Sequence, residues 1–270
     1  MNKLLKNKLN KIIIPKIDDS MINQLVFLIK KFTKNFPNYH DNFNIEDFIL
    51  DDSSHFKFVL KYKFFEVHCF KSNNYFIKDF YPLQKMNKIN FSNVVKIFDF
   101  NDNYNFMITE YLKPITENSK LKSEYGSFKI IKRLIYVVLR IIFTLFIYNK
   151  QYVKKLTCND LGVDSTGIIK INNLNNPKYI DPNNEYEIRH KLYLSFEYFM
   201  NDLISSVVSS FMANDLKIFF NRLKDDITNY RVIELTSVTL GLKKHKVRMF
   251  KSIDVEGILS YVLRQKLINF

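Results

Sequence analysis

The sequence has 270 residues and a mass of 32.4 kDa, which fits one large domain or two small lobes around a real core. Hydrophobic residues make up 47% and charged residues 25%, and this composition excludes a disordered chain. The 41 Lys and Arg against 27 Asp and Glu give a net charge of +14, which favours acidic partners. With two cysteines, Cys69 and Cys158, a disulfide scaffold and a cysteine-rich zinc site are excluded.

Codon bias accounts for part of the positive charge. The chain has 34 Lys, 7 Arg and 30 Asn, and codons for Lys, Asn, Ile and Phe are AT-rich. This usage indicates an AT-rich genome, such as that of a virus or an intracellular parasite. With no apparent secretory signal, we expect an intracellular protein, cytoplasmic or nuclear.

The elements begin with a basic, helical stretch over residues 1–50. Within it, residues 21–36 have apolar side chains at helical spacing, namely Ile22, Leu25, Ile29 and Phe32. Residues 56–112 predict a small antiparallel sheet of two hairpins. The first hairpin turns at residues 72–74 and continues into a strand at YFIKDF (75–80). The second joins residues 94–100 to 105–112 through Asn101-Asp102-Asn103.

The second half of the chain is mainly helical. The most apolar stretch, residues 134–148, is 15 residues long and contains Arg140. A membrane span needs roughly 20 residues, so we predict a buried helix over 127–148 and no membrane span. A short hairpin follows at 162–171, with its turn at Asp164-Ser165-Thr166-Gly167. A loop then covers 172–184, and residues from Glu185 onward read as helical.

This order of elements resembles that of a protein kinase domain over roughly residues 55–270. Beside the helix at 127–148, the segments that carry the resemblance are FFEVHCFKSNNYFIK (64–78), NFSNVVKIFDF (90–100), NFMITEYL (105–112), DLGVDSTGIIKINNLN (160–175) and NDLISSVVSSF (201–211). The resemblance implies an α+β, kinase-like bilobal fold, with a small antiparallel β N-lobe and a mainly helical C-lobe. It divides the chain into a basic helical N-terminal extension (1–50), the N-lobe (51–112) and the C-lobe (113–270).

The positions that match the nucleotide-binding part of a kinase have changed. Lys78 matches the strand-three lysine, which would bind nucleotide. The three slots of the glycine-rich loop hold Leu60, Tyr62 and Phe65, although glycine is needed there for close approach to phosphates. No Glu lies between Lys78 and residue 93, and the gap predicts a truncated αC helix without its glutamate.

The catalytic and metal-binding slots have changed as well. The HRD triplet aligns with Val153-Lys154-Lys155, or one residue later, and neither alignment keeps the catalytic aspartate. The DFG triplet aligns with Asn173-Leu174-Asn175, whose neutral amides hold Mg²⁺ less well than a carboxylate. Asp160 matches the metal-binding asparagine, and Asp202 matches the aspartate that begins a C-lobe helix. The sequence therefore predicts a pseudokinase with no catalytic residues, metal or cofactor.

Such a protein would act as a scaffold or regulator through a protein partner, for example an acidic protein or an active kinase. A second alignment keeps phosphotransferase activity, on a protein or a small molecule. It makes Asp160 the catalytic base and Asp181 the Mg²⁺ ligand, with Lys78 on the phosphates of ATP. As plain structural residues, Asp160 and Asp181 would belong to turns. A third hypothesis is a nucleic-acid-binding module that uses basic patches, such as Lys243-Lys244-His245-Lys246, without a recognition motif.

Overall fold

The computed structural model describes residues 19–35, 48–54, 57–117 and 127–208, together with residue 7 and parts of 213–221. The chain divides into two compact units. The first contains residues 1–87 and 95–113, and the second contains residues 88–94 and 114–270. A mixed α+β architecture with a small antiparallel sheet and several helices confirms the predicted fold class at that level. The basic patch Lys243-Lys244-His245-Lys246, which was considered for nucleic-acid binding, lies outside the described residues.

The first unit is built on a five-stranded antiparallel sheet flanked by helices. Its elements are α1 (Asp19–Asn35), β1 (Ile49–Ser54), β2 (Lys57–Lys61), β3 (Phe65–Phe70), α2 (Asn73–Lys88), β4 (Ile97–Asn101) and β5 (Phe106–Glu110). The strand order is β1-β2-β3-β5-β4, so β3 is central and all six of its residues are buried. The predicted helix at 21–36 and the predicted hairpin around Asn101-Asp102-Asn103 are both confirmed.

The second unit is mainly helical and carries short strands. A two-residue strand, β6 (Lys113–Pro114), lies where the chain passes from one unit to the next. The later elements are α3 (Ser127–Asn149), β7 (Gln151–Tyr152), β8 (Leu161–Val163), β9 (Ile169–Ile171), β10 (Lys178–Tyr179) and α4 (Glu185–Asp202). Single 3₁₀ turns occur at Ile115–Glu117 and Cys158–Asp160, and a π-helical turn, Leu203–Val207, continues α4.

Period-two alternation gives the sheet of the first unit two chemically different faces. The face toward α1 is apolar, and the Phe32 ring on that helix lies 4.8 Å from the Phe65 ring on β3. This core is formed by apolar side chains of α1 and of alternate strand positions, among them Ile22, Leu25, Ile29, Phe32, Phe58, Leu60, Phe65, Val67, Phe106 and Ile108. The intervening strand positions face the other way and carry Lys57, Glu66, His68 and Thr109, all of which are buried.

The prediction of a strand at residues 75–80 is wrong, because helix α2 runs from Asn73 to Lys88 in its place. Residues 72–74 lead into that helix and do not close a hairpin. The hairpin of this region joins β2 to β3 through Tyr62-Lys63-Phe64. The helix in this region is also longer than the truncated one that the sequence predicted, since α2 has 16 residues. The buried side chains of α2 include Phe76, Phe80 and Leu83, at the spacing of one helical face.

The predicted buried helix at 127–148 is confirmed as α3, and its apolar run packs inside the second unit. Leu134, Val138 and Leu145 are almost fully buried, at intervals that place them on one face. Arg140 is accommodated there because its Nη1 donates to Asn93 Oδ1 at 3.0 Å. Among the helices of the described residues, none is both long enough and apolar enough to cross a membrane.

The predicted hairpin at 162–171 is confirmed as β8 paired antiparallel with β9. Gly167 has φ of +85° in its turn, a conformation that glycine adopts without the strain of a side chain. The carboxylate of Asp164 accepts hydrogen bonds from the main-chain N–H groups of Thr166 and Ile168, both at 2.9 Å. Lys170 also lies 2.9 Å from that carboxylate, and these contacts fix the register of the hairpin.

Candidate functional site

Asp160 closes the 3₁₀ turn Cys158–Asp160 and is 3% exposed. Its Oδ2 accepts hydrogen bonds from the main-chain N–H and the hydroxyl of Thr157, both at 2.8 Å. This is the capping-box arrangement, in which an acidic side chain three residues along returns to the residue that begins the turn. Local sequence alone therefore holds one oxygen of this carboxylate in place.

Two asparagine side chains donate hydrogen bonds to the other oxygen of the same carboxylate. The Nδ2 group of Asn173 donates to Asp160 Oδ1 at 3.2 Å, and the Nδ2 group of Asn175 donates to the same atom. Asn175 has φ of +47°, a left-handed conformation that asparagine tolerates better than most residues. The main chain supports the contact, because Asn172 N–H donates to the Asp160 carbonyl at 2.8 Å.

The structure thus joins two of the motifs singled out in the sequence. Asp160 and Asn173, which the sequence alignment assigns to the metal-binding asparagine and aspartate of a kinase, are hydrogen-bonded partners. A Mg²⁺ ion here would have one carboxylate and two amide oxygens as candidate ligands. To bind it, Asn173 and Asn175 would have to turn their oxygens inward and give up the hydrogen bonds they donate.

Asp202 supports the same turn from α4. Its Oδ2 accepts a hydrogen bond from Cys158 N–H at 2.7 Å, and its Oδ1 accepts one from the Ser206 hydroxyl at 3.4 Å. Burial and the adjacent Asp202 raise the pKa of the Cys158 thiol, so the thiol stays protonated at neutral pH. Asp202 is the last residue of α4 and the N-cap residue of the π-helical turn Leu203–Val207, so its match to the aspartate that begins a C-lobe helix stays a prediction.

Asp181 occupies a different setting in the second unit. It is exposed, and its Oδ1 accepts a hydrogen bond from Asn183 N–H at 2.9 Å. Asn184 follows as the N-cap of α4, with its side chain accepting from Glu187 N–H at 3.0 Å. Asp181 therefore has the role of a turn residue, and its assignment as a Mg²⁺ ligand stays a prediction.

Lys78 lies on α2 and is partly exposed, so its interpretation as a strand-three lysine is wrong. Its proposed contact with nucleotide stays a prediction. Leu60, Tyr62 and Phe65, which were aligned with the three glycines of the kinase loop at residues 59–67, are buried in the core beside α1, and that alignment stays a prediction. Residues 55–56, between β1 and β2, lie outside the described residues.

Sequence reasoning missed a buried polar cluster on the sheet face toward α2. Lys57 Nζ lies 3.2 Å from Asp79 Oδ2, with the side chains 2% and 6% exposed. Beside this pair, His68 Nε2 lies 3.0 Å from Thr109 Oγ1 and 3.4 Å from Glu66 Oε2. Burial lowers the pKa of His68, and the positive charge of Lys57 lowers it further.

A signal for this cluster was present in the strand alternation. Lys57 is in phase with Val59, and Glu66 is in phase with His68, on the face opposite the large apolar residues. A polar stripe in a strand ordinarily indicates a solvated face, and here helix α2 covers it. No three His, Cys, Asp or Glu residues of the described segments come together as a group able to hold a metal ion.

Comparison with known proteins gives no assignment. No protein-family model matches the chain, and no curated protein sequence matches it.

Proposed function

We propose that the chain is a degenerate protein kinase-like protein that does not transfer phosphate and acts as a scaffold or regulator by binding another protein. The order of its elements supports the resemblance. Three antiparallel strands are followed by α2, then by β4 and β5, and this is the order in which a kinase N-lobe carries its αC helix. The long buried helix α3 and the hairpin β8–β9 follow in the expected order.

The observation that carries the proposal is the state of the Asp160 carboxylate. Thr157, Asn173 and Asn175 direct four hydrogen-bond donors at its two oxygens. Donors placed around a carboxylate stabilise its charged form without a bound cation. The one acid kept in the metal-binding slots thus serves the fold of the turn, which favours binding over catalysis.

The lysine–acid pair of the first unit supports the same conclusion. In an active kinase such a pair orients the nucleotide phosphates and is open to the nucleotide. Lys57 and Asp79 are 2% and 6% exposed, and the Phe70 ring lies 5.2 Å from the Lys57 ammonium. This pair is therefore placed to fasten α2 onto the sheet.

A thermal-shift titration with ATP and ADP, each with and without Mg²⁺ and Mn²⁺, tests the proposal. A ligand that binds only the folded state stabilises it by about 2.7 kcal/mol at 100 times its dissociation constant. We expect no metal-dependent shift at millimolar nucleotide. The competing hypothesis, a phosphotransferase that uses Lys78, Asp160 and Asp181, requires a metal-dependent shift that Asp160→Asn and Asp181→Asn each abolish.

A further inference from the structure

Helix α2 has an exposed stripe whose chemistry differs from that of its buried face. Ile77 and Tyr81 lie one turn apart and are 42% and 48% exposed. Asn74, Lys85 and Lys88 are exposed at positions that share this face. The stripe therefore has an apolar centre, formed by Ile77 and Tyr81, and two lysines at its C-terminal end.

An aromatic contact extends the apolar centre onto the sheet. The Phe80 ring lies 5.4 Å from the Tyr81 ring and 4.5 Å from the Phe100 ring on β4. Phe100 is itself 40% exposed. We call Ile77, Tyr81 and Phe100 the α2 patch. Clustered exposed apolar side chains with a polar rim are typical of a protein-binding surface, whereas isolated ones are ordinary.

Charge indicates what would cover the α2 patch. The only acid on α2 is Asp79, which is buried against Lys57. Lys78, Lys85 and Lys88 stand on the accessible part of the helix without an acidic partner among the described residues. A covering segment must therefore bring apolar side chains for Ile77 and Tyr81, and carboxylates for the lysines.

We propose that the α2 patch, with Lys78, Lys85 and Lys88 at its rim, docks an acidic amphipathic segment of a partner protein. This inference rests on the proposed function and names the surface through which the protein would act. An amphipathic helix with apolar residues at i, i+3, i+4 and i+7 and acids between them matches both requirements.

The test is fluorescence anisotropy with a labelled peptide of about 16 residues that has Leu at those helical positions and Glu elsewhere. We expect saturable binding that the paired change Ile77→Ser/Tyr81→Ser weakens by about 10-fold or more. We expect a loss of similar size for Lys85→Glu/Lys88→Glu. Both pairs alter exposed side chains, and an unchanged melting temperature verifies that each variant is folded.

Matched controls lie elsewhere in the same unit. Phe27→Ser changes a 61% exposed apolar residue on α1, and Lys63→Glu changes an exposed lysine in the β2–β3 turn. Each should alter peptide affinity by less than about 2-fold. A scrambled peptide, and one with Lys in place of Glu, should bind at least about 10-fold more weakly.

Four outcomes would overturn the inference. The first is absence of peptide binding, and the second is equal binding by the patch and control variants. The third is self-association of the wild type that Ile77→Ser/Tyr81→Ser abolishes. The fourth is single-stranded DNA binding that competes with the peptide and depends on Lys85 and Lys88 alone.

Failure of the proposed function has a different readout. Metal-dependent nucleotide turnover, together with intact and patch-dependent peptide binding, would remove the pseudokinase assignment and leave the docking surface standing. Loss of patch dependence in a protein without turnover would remove the docking surface alone.

Discussion

The ammonium of Lys57 lies 3.2 Å from the carboxylate of Asp79, and this pair joins β2 to α2 in the interior of the first unit. The side chains are 2% and 6% exposed, so both charges are removed from water. Desolvating two ions costs several kcal/mol, which only mutual attraction and further hydrogen bonds offset. Either charge without the other would stand in a low-dielectric interior.

Replacing Lys57 by Met should therefore lower the free energy of unfolding by about 3–5 kcal/mol, because it leaves the Asp79 charge buried and unpaired. Urea unfolding, followed by circular dichroism, measures the change. The double variant Lys57→Met/Asp79→Leu should recover at least half of the loss. Lys61→Met is the matched control, since the Lys61–Asp51 pair is 29% and 38% exposed and should contribute about 1 kcal/mol or less. Equal losses for Lys57→Met and Lys61→Met would contradict this role.

Asp160 and Asp181 should respond differently to the same change to Asn. Asp160→Asn removes a buried charged acceptor of four hydrogen bonds and should cost about 1.5–3 kcal/mol. Asp181→Asn affects an exposed turn and should stay within about 0.5 kcal/mol. Thermal unfolding of the two variants without added metal compares them directly. A smaller effect at Asp160 than at Asp181 would show that the hydrogen-bonded turn does not stabilise the second unit.

Stability of the first unit should fall as the pH drops below 6.5 because of His68. Burial lowers the pKa of this imidazole from 6.5, so below that pH the unfolded chain binds a proton that the folded chain does not. The slope approaches about 1.4 kcal/mol per pH unit for one such proton. The groups that face it are Lys57, Glu66, Asp79 and Thr109.

Unfolding titrations between pH 5 and pH 7.5 measure that slope. His68→Gln should reduce it by about one proton, whereas His190→Gln, which changes an exposed residue of α4, should leave it unchanged. An identical pH slope in wild type and His68→Gln would contradict a buried neutral imidazole.

Asp164 should govern the acid stability of the β8–β9 hairpin. Burial alone would raise the pKa of its carboxyl, but the Thr166 hydroxyl, Lys170 and main-chain N–H groups lower it from 3.8 to about 2. The resulting stabilisation of about 2 kcal/mol is complete above pH 3.8 and is lost as the pH falls to about 2. Urea unfolding at pH 7 should show that Asp164→Asn lowers the free energy of unfolding by about this amount. At pH 2 the variant and the wild type should have nearly equal free energies of unfolding. A constant difference across that range would contradict the assignment.

The sequence predicted those elements whose local pattern agrees with their burial. Helix α1 and helix α3 show apolar residues at helical spacing, and the β8–β9 hairpin has an Asp-x-x-Gly turn. The prediction of a strand at 75–80 was wrong because Tyr, Phe and Ile in this segment favour strands. Pro82, a residue that disfavours a helix interior, also lies inside helix α2. Contacts of α2 with the sheet outweigh that local preference, and the helical spacing of Phe76, Phe80 and Leu83 was the overlooked signal.

The candidate sites could be predicted only in part. Alignment to the kinase pattern matched Asp160 and Asn173 to two metal-binding slots, and the structure places them in contact. The pairing of Lys57 with Asp79 joins residues 22 positions apart on a strand and a helix, and nothing in the local sequence specifies it. Buried polar residues look like surface residues in a sequence, so this cluster required knowledge of which face α2 covers.

Release of the γ-phosphate from labelled ATP tests the central proposal most directly. Wild-type protein is incubated with ATP and Mg²⁺ or Mn²⁺, alone and with a generic protein substrate, beside the double variant Asp160→Asn/Asp181→Asn. We expect equal release from both proteins, at the level of the protein-free control, because the Asp160 carboxylate is held by Thr157, Asn173 and Asn175. Metal-dependent release about 10-fold or more above the double variant would contradict a non-catalytic role and assign the chain to the phosphotransferases.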